Sequence, residues 1–119
     1  MIEVERVDYI AVPTRDVDRA KRFYGETLGL PHEKDTPVGA EYRAGQVTVG
    51  IVGSADRGQE FAPNPAGFAL RVADVDAARE TLAQAGVTVT EVFDTGFCRL
   101  AFFSDPDGNR LVLHRRYAP

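Results

Sequence analysis

Histidine and cysteine are scarce: the chain has two histidines, His32 and His114, and one cysteine, Cys98. An imidazole titrates near neutrality, so His114 is a candidate for proton transfer or pH-sensitive binding. Glu41 is a candidate base, or a charge partner for Arg71 or Arg99, because a buried carboxylate requires such a partner. A lone cysteine excludes an intrachain disulfide and a cysteine-rich zinc site. With Leu100 and Phe102 at the same strand parity, Cys98 reads as a small buried hydrophobe. Gly108 is not followed by a Lys-Ser or Lys-Thr pair, so its turn is no phosphate loop. Asp105 and Asp107 do not continue into a calcium-loop pattern; their work is to cap and shape the turn.

The elements that position these residues come from a chain of 119 residues, 44% of them apolar, which suits one compact domain. The net charge of -4 gives no support for nucleic acid or an anionic membrane as partner. Residues 1–8 are charged and lead straight into a strand. No apolar signal segment or membrane span is read, and a cytoplasmic protein is expected.

Val7 to Val12 reads as a strand, ended or edged by Pro13. Asp16 caps a helix whose apolar stripe is Val17, Ala20, Phe23, Tyr24 and Leu28, with Gly29 ending it. A short weak strand region follows from Leu30 to Thr36. The arms of a hairpin, Ala40 to Arg43 and Val47 to Val52, flank Ala44-Gly45-Gln46. Residues 53–66 are polar and rich in Gly, Ala and Pro, and read as a linker. Gly67 to Val72 is a strand, and Asp74 opens a helix with Val75, Ala78, Leu82 and Ala85 on its apolar face, stopped by Gly86. Val87 to Phe93 and Phe97 to Phe103 are strands around Asp94-Thr95-Gly96. Ser104 to Asn109 turns into a last strand, Arg110 to Arg115.

The order repeats. Asp16-Val17-Asp18-Arg19-Ala20 lies over Asp74-Val75-Asp76-Ala77-Ala78 at an offset of 58. Gly29-Leu30 lies over Gly86-Val87, and Gly45-Gln46 over Gly108-Asn109. The fold class is therefore α+β, with two βαβββ modules over residues 6–52 and 67–116. Neither module can bury its sheet and helix stripe alone, so they should complete each other within a chain or across a dimer.

Three features together resemble the vicinal-oxygen-chelate superfamily, which includes glyoxalase I, bleomycin-resistance proteins and extradiol dioxygenases. They are the repeat, the helix signature Asp16 to Tyr24 closed by Leu28-Gly29-Leu30, and the turn Asp105-Pro106-Asp107-Gly108-Asn109. The resemblance implies a curved mixed sheet whose concave cup binds the ligand. Strand parity then sends Tyr9 and Ala11, Gly67, Ala69 and Arg71, and Arg110, Val112 and His114 towards the cup. Ile10, Val12, Phe68, Leu70, Leu111 and Leu113 go to the helix side.

Metal-dependent relatives place His or Glu at four points of the cup strands. The corresponding residues are Tyr9, Thr48 or Val49, Gly67 and Val112, none of them a histidine or carboxylate. A metal needs convergent nitrogen or oxygen donors, so no metal and no other cofactor is expected. A shifted pair, Glu41 with His114, is the alternative. The ligand-binding candidates are Tyr9, Glu41, Tyr42, Gly67, Arg71, Cys98, Val112 and His114, with Arg99 as a further polar lining residue. Glu41 and His114 are the catalytic candidates.

The function expected from the resemblance is metal-independent binding of a small molecule in the cup of a homodimer, as in the bleomycin-resistance branch. Two alternatives are a glyoxalase- or dioxygenase-like lyase, isomerase or oxygenase with an atypical site, and a non-catalytic dimerisation module.

Overall fold

The computed structural model spans residues 1–119, all of which are described except Asp56, Arg57 and Gln59. The chain divides into two units, Met1–Ala62 and Pro63–Pro119. The division falls inside the stretch 53–66 read as a linker, part of which (Asp56, Arg57 and Gln59) lies outside the described residues.

In the first unit, β1 (Tyr9–Thr14), α1 (Val17–Arg22), β2 (His32–Thr36), β3 (Gly39–Ala44) and β4 (Val47–Gly53) follow in chain order. The sheet order is β1-β4-β3-β2, with β1 parallel to β4 and the other pairs antiparallel. Asp16 caps α1 by accepting the Arg19 N–H at 3.0 Å, which satisfies one of the first-turn donors. Alternation along the strands buries one face. Val12, Ala40, Tyr42, Val49 and Ile51 are at most 3% exposed and meet Ala20, Phe23 and Tyr24 of the helical segment.

The spacing predicts a single α-helix through Leu28. The structure instead widens into a π turn over Phe23–Thr27, closed by the Leu28 N–H donating to the Phe23 carbonyl at 2.9 Å. This wide turn lets consecutive aromatics both reach the core, with the Phe23 and Tyr24 rings edge to face at 5.4 Å. Gly25 sits in the turn because the Tyr42 ring lies against it; a Cβ there would come 3.1 Å from that ring.

The second unit repeats the plan with β5 (Phe68–Arg71), α2 (Val75–Gln84), β6 (Phe93–Asp94), β7 (Cys98–Ser104) and β8 (Arg110–Arg116). Its order is β5-β8-β7-β6, again with the first pair parallel. Asp74 caps α2 through the Ala77 N–H at 3.0 Å. Val75 and Leu82 of α2 pack with Ala101, Phe103, Leu111 and Leu113, all buried.

One strand is shorter than the sequence predicts. Of Val87 to Phe93, only Phe93 enters the ladder, pairing Leu100. Upstream, the Thr90 side chain intervenes: its Oγ1 accepts the Phe102 N–H at 2.9 Å. The Thr90 N–H donates to the Phe102 carbonyl, while the Thr90 carbonyl takes the Arg79 guanidinium from α2. A hydroxyl thus replaces the backbone carbonyl a continuing strand would supply.

The turn between β7 and β8 is a buried polar cluster. Asp105 Oδ1 accepts the N–H groups of Asp107 and Asn109, each at 2.9 Å, and Asp105 Oδ2 accepts the Asn109 amide at 2.8 Å. Asn109 Oδ1 in turn accepts the Asn64 N–H at 2.7 Å, and the Asn64 carbonyl accepts the Arg110 N–H. The turn therefore does more than reverse the chain: it fastens the segment leading into β5. Asp105 and Asn109 can be buried, at 5% and 2% exposure, because these partners replace water.

Candidate functional site

Each sheet has one face covered by its own helix and an opposite, open face. Cross-strand register assigns the residues of each. In the first unit the open face carries Tyr9, Ala11 and Pro13 from β1, Thr48, Gly50 and Val52 from β4, and Glu41 and Arg43 from β3. Tyr9 is 63% exposed and pairs in register with Thr48; Glu41 lies beside Gly50. Arg43 on this face is held by Glu33 at 2.6 Å, and the guanidinium holds the Glu33 carboxyl below its ordinary range.

In the second unit the open face carries Ala69 and Arg71 from β5, Arg110, Val112, His114 and Arg116 from β8, and Leu100 and Phe102 from β7. Arg71 lies beside His114, and His114 beside Leu100; Ala69 lies beside Val112, and Val112 beside Phe102. Phe93 extends the apolar strip by edge contact with Phe102 at 6.1 Å. The Arg110 guanidinium stands 5.4 Å from the centre of the Phe102 ring, a cation–π arrangement.

The structure brings Tyr9 and Glu41 onto the first open face, and Arg71, Val112 and His114 onto the second. It does not bring Tyr42 or Arg99 with them. Consecutive strand residues point to opposite faces, so Tyr42 cannot accompany Glu41. Tyr42 packs on the helix side, 3% exposed, and donates its hydroxyl to the Lys21 carbonyl at 3.2 Å. Arg99 also faces its helix, bonding Asp76 of α2 at 2.7 Å. Cys98 has the parity of Leu100 and Phe102 but is only 6% exposed, leaving little thiol surface to offer a ligand. The residues that sequence reasoning missed are Phe93, Leu100 and Phe102 as an apolar floor. Parity along β7, extended from the β8 assignment, identifies Leu100 and Phe102; Phe93 needed the true end of the preceding loop.

The metal positions of the family can be tested on this frame. Ala11 pairs with Gly50 and Ala69 pairs with Val112, while Ala11 and Ala69 are related by the offset of 58. The counterpart of Val112 is thus Gly50, rather than Thr48 or Val49; Val49 is fully buried on the helix side. Gly67 has φ +69°, and a Cβ built on it would lie 1.9 Å from the Arg110 carbonyl oxygen. That position has no room for any side chain, so a histidine ligand there would require the β5 and β8 backbones to separate. Tyr9, Gly50, Gly67 and Val112 do not fit a metal. Among the described residues no group of three or more His, Cys, Asp or Glu side chains could hold one.

A separate groove of about 490 Å³ lies on the helix side of the first unit, between α1, the π turn and β2. Lys21, Glu26, His32 and Tyr42 are among its lining residues. Asp35 joins Lys21 at 2.8 Å and His32 at 2.9 Å, and the hydrogen bond from Lys21 holds the Asp35 carboxyl below its ordinary value. The His32 ring meets the Tyr42 ring edge to face at 5.3 Å. These opposite charges satisfy one another at the wall of an open depression.

Two mixed four-stranded sheets, each with a capped helix on one face and an open second face, define a duplicated βαβββ protein. Residues 6–113 match the family model of the glyoxalase/bleomycin resistance protein/dioxygenase superfamily, and the chain belongs to that superfamily. Among solved structures it is similar to TnmS3, an antibiotic binding protein from Streptomyces sp. CB03234, at 30% identity and TM-score 0.81, covering 98% of this chain and 99% of that one. A glyoxalase/bleomycin resistance protein from the same Streptomyces sp. is 29% identical, with TM-score 0.75 over 92% of this chain and all of that one. A superfamily member from Sphaerobacter thermophilus is 27% identical, with TM-score 0.77 over 93% and 97% of the two chains. No curated protein matches the sequence.

Proposed function

We propose that this protein binds a small organic molecule on the open faces of its sheets, without a metal and as a homodimer. The observation that carries the reading is the replacement of the metal positions: Gly67 is closed to any side chain by the Arg110 carbonyl, and Val112 and Gly50 offer no donor. The similarity to TnmS3, itself described as an antibiotic binding protein, supports small-molecule binding as the role. The half-buried strip of Leu100, Phe102 and Val112, with Arg71 and His114 beside it, has the mixture of apolar surface and few polar groups typical of small-molecule sites. Pairing with a second copy is supported by the terminal strands β1, β2, β5 and β6, each of which has one ladder neighbour within its own sheet.

A thermal-shift screen of the full chain against a metabolite and natural-product library, run with and without chelator, tests this. Ligand binding raises the midpoint by mass action. The expected result is one or more hits whose shift is unchanged by chelator, from a protein that sediments as a dimer. A screen without hits, or hits that vanish with chelator and return with added zinc, nickel, manganese or iron, contradicts it.

A further inference from the structure

The carboxylates of the second unit are segregated from the open face. They lie on the helix, in the turns, in the loop before β6 and on the helix side of the sheet: Asp74, Asp76 and Glu80 around α2, the exposed Glu91 in that loop, Asp94 beside Arg99, and Asp105 and Asp107 buried in the turn. The open face of the sheet, read strand by strand, carries no carboxylate at all. Its register positions are Ala69 and Arg71, then Arg110, Val112, His114 and Arg116, then Cys98, Leu100, Phe102 and Ser104, and Phe93. Every ionisable nitrogen group on it is basic, in a chain whose net charge is -4.

These basic groups differ in their engagement. Arg116 donates to the carbonyls of Ala118 and Pro119, and Arg110 leans over the Phe102 ring. Arg71 is exposed, and Arg71 and His114 are adjacent partners in the parallel ladder. Among the described residues no carboxylate pairs with either. Neighbouring strands are about 4.8 Å apart, so one anionic group can reach both side chains. The apolar floor begins one register step away, since Val112 and Phe102 lie two residues along from His114 and Leu100, about 7 Å. Phe93 and Phe102 give that floor an aromatic wall.

We infer that the ligand of this face is an aromatic monoanion, with its carboxylate between Arg71 and His114 and its ring on Val112, Phe102 and Phe93. The inference rests on the binding reading above and adds the charge and shape of what is bound. A cationic ligand meets only like charge on this face. A guanidinium suits a carboxylate by its two parallel donors, and an imidazole adds a third, so removal of the ligand's charge forfeits the contacts that distinguish this face from a plain apolar one.

Three matched probes test it by calorimetric titration of the full chain: 2-naphthoate, 2-naphthalenemethanol and 2-naphthylmethylammonium. The expected order is naphthoate tightest, by about tenfold over the alcohol for one or two charge-assisted hydrogen bonds, and the ammonium weakest. Arg71→Gln should bring naphthoate down to the affinity of the alcohol while leaving the alcohol unchanged, and Arg71→Lys should restore part of the difference. Arg6→Gln, in the exposed segment before β1, should change nothing. Equal affinity for naphthoate and alcohol, or tighter binding of the ammonium, overturns the anion inference and leaves the binding reading standing. Naphthoate selectivity that survives Arg71→Gln in a folded variant overturns the placement. No binding of any of the three overturns the inference, and the library screen then decides the broader reading separately.

Discussion

Replacing Gly67 by alanine isolates the feature that closes the family's metal position. The residue has φ +69°, and its new Cβ would meet the Arg110 carbonyl oxygen at 1.9 Å, the carbonyl carbon at 2.5 Å and the Arg110 Cβ at 2.9 Å. Two costs follow. The left-handed backbone costs an L-residue about 1–2 kcal/mol. The contacts add more, because the atoms met are mainly backbone in the β5–β8 ladder and cannot rotate away. Overpacking of this kind costs about 1–3 kcal/mol further, giving about 2–5 kcal/mol in all. Gly86 supplies the control: it has φ +85° with nothing within 4 Å of an added Cβ, so Gly86→Ala pays the backbone cost alone. Urea denaturation of the two variants and the parent measures both. Gly67→Ala is expected to lose at least about 1 kcal/mol more than Gly86→Ala. Equal losses would refute the claim that the Arg110 backbone fills this position, and would reopen it to a histidine ligand.

The buried turn gives a second prediction. Asn109→Ala removes bonds to the half-buried Asn64 N–H and to the buried Asp105, leaving both short of a partner, and should destabilise by about 2–4 kcal/mol in the same denaturation assay. In the first unit, Tyr42→Phe loses only the hydroxyl bond to the Lys21 carbonyl and keeps the ring on Gly25, so a loss of about 1 kcal/mol is expected. Asp94 accepts the Tyr117 hydroxyl at 2.7 Å, and this bond, then the Gly96 N–H and Arg99, lower its carboxyl below 3.8. A depressed folded value contributes stability above 3.8 that is lost as pH falls through the folded value. The midpoint difference between the parent and Tyr117→Phe should therefore hold steady above pH 3.8 and shrink below it; a constant difference at low pH would contradict the assignment.

The two-module plan was legible because its markers are local. Asp16 and Asp74 cap their helices through the third residue on, and strand alternation sorted Tyr9 from Val12 and Val112 from Leu113. Features that depend on packing were not legible. Nothing in Phe23-Tyr24-Gly25 announces a π turn until the Tyr42 ring is seen against Gly25. Thr90 looks like an ordinary strand residue, yet its hydroxyl takes the Phe102 N–H and ends the ladder. The match between Val112 and its first-unit counterpart was one or two residues off because the hairpin loops differ. Gly45-Gln46 joins β3 to β4, whereas residues 105–109 join β7 to β8, and only the parallel registers fix Gly50 as the counterpart. Tyr42 was misplaced for a simpler reason, since it cannot share a face with Glu41, its neighbour in the same strand.

Metal-free binding is measured by the dissociation constant of one ligand before and after exhaustive chelation of the full chain. The same constant within about twofold is expected, because Tyr9, Gly50, Gly67 and Val112 do not supply the donors a metal needs. Binding abolished by chelation and restored by one equivalent of a divalent transition metal would contradict it.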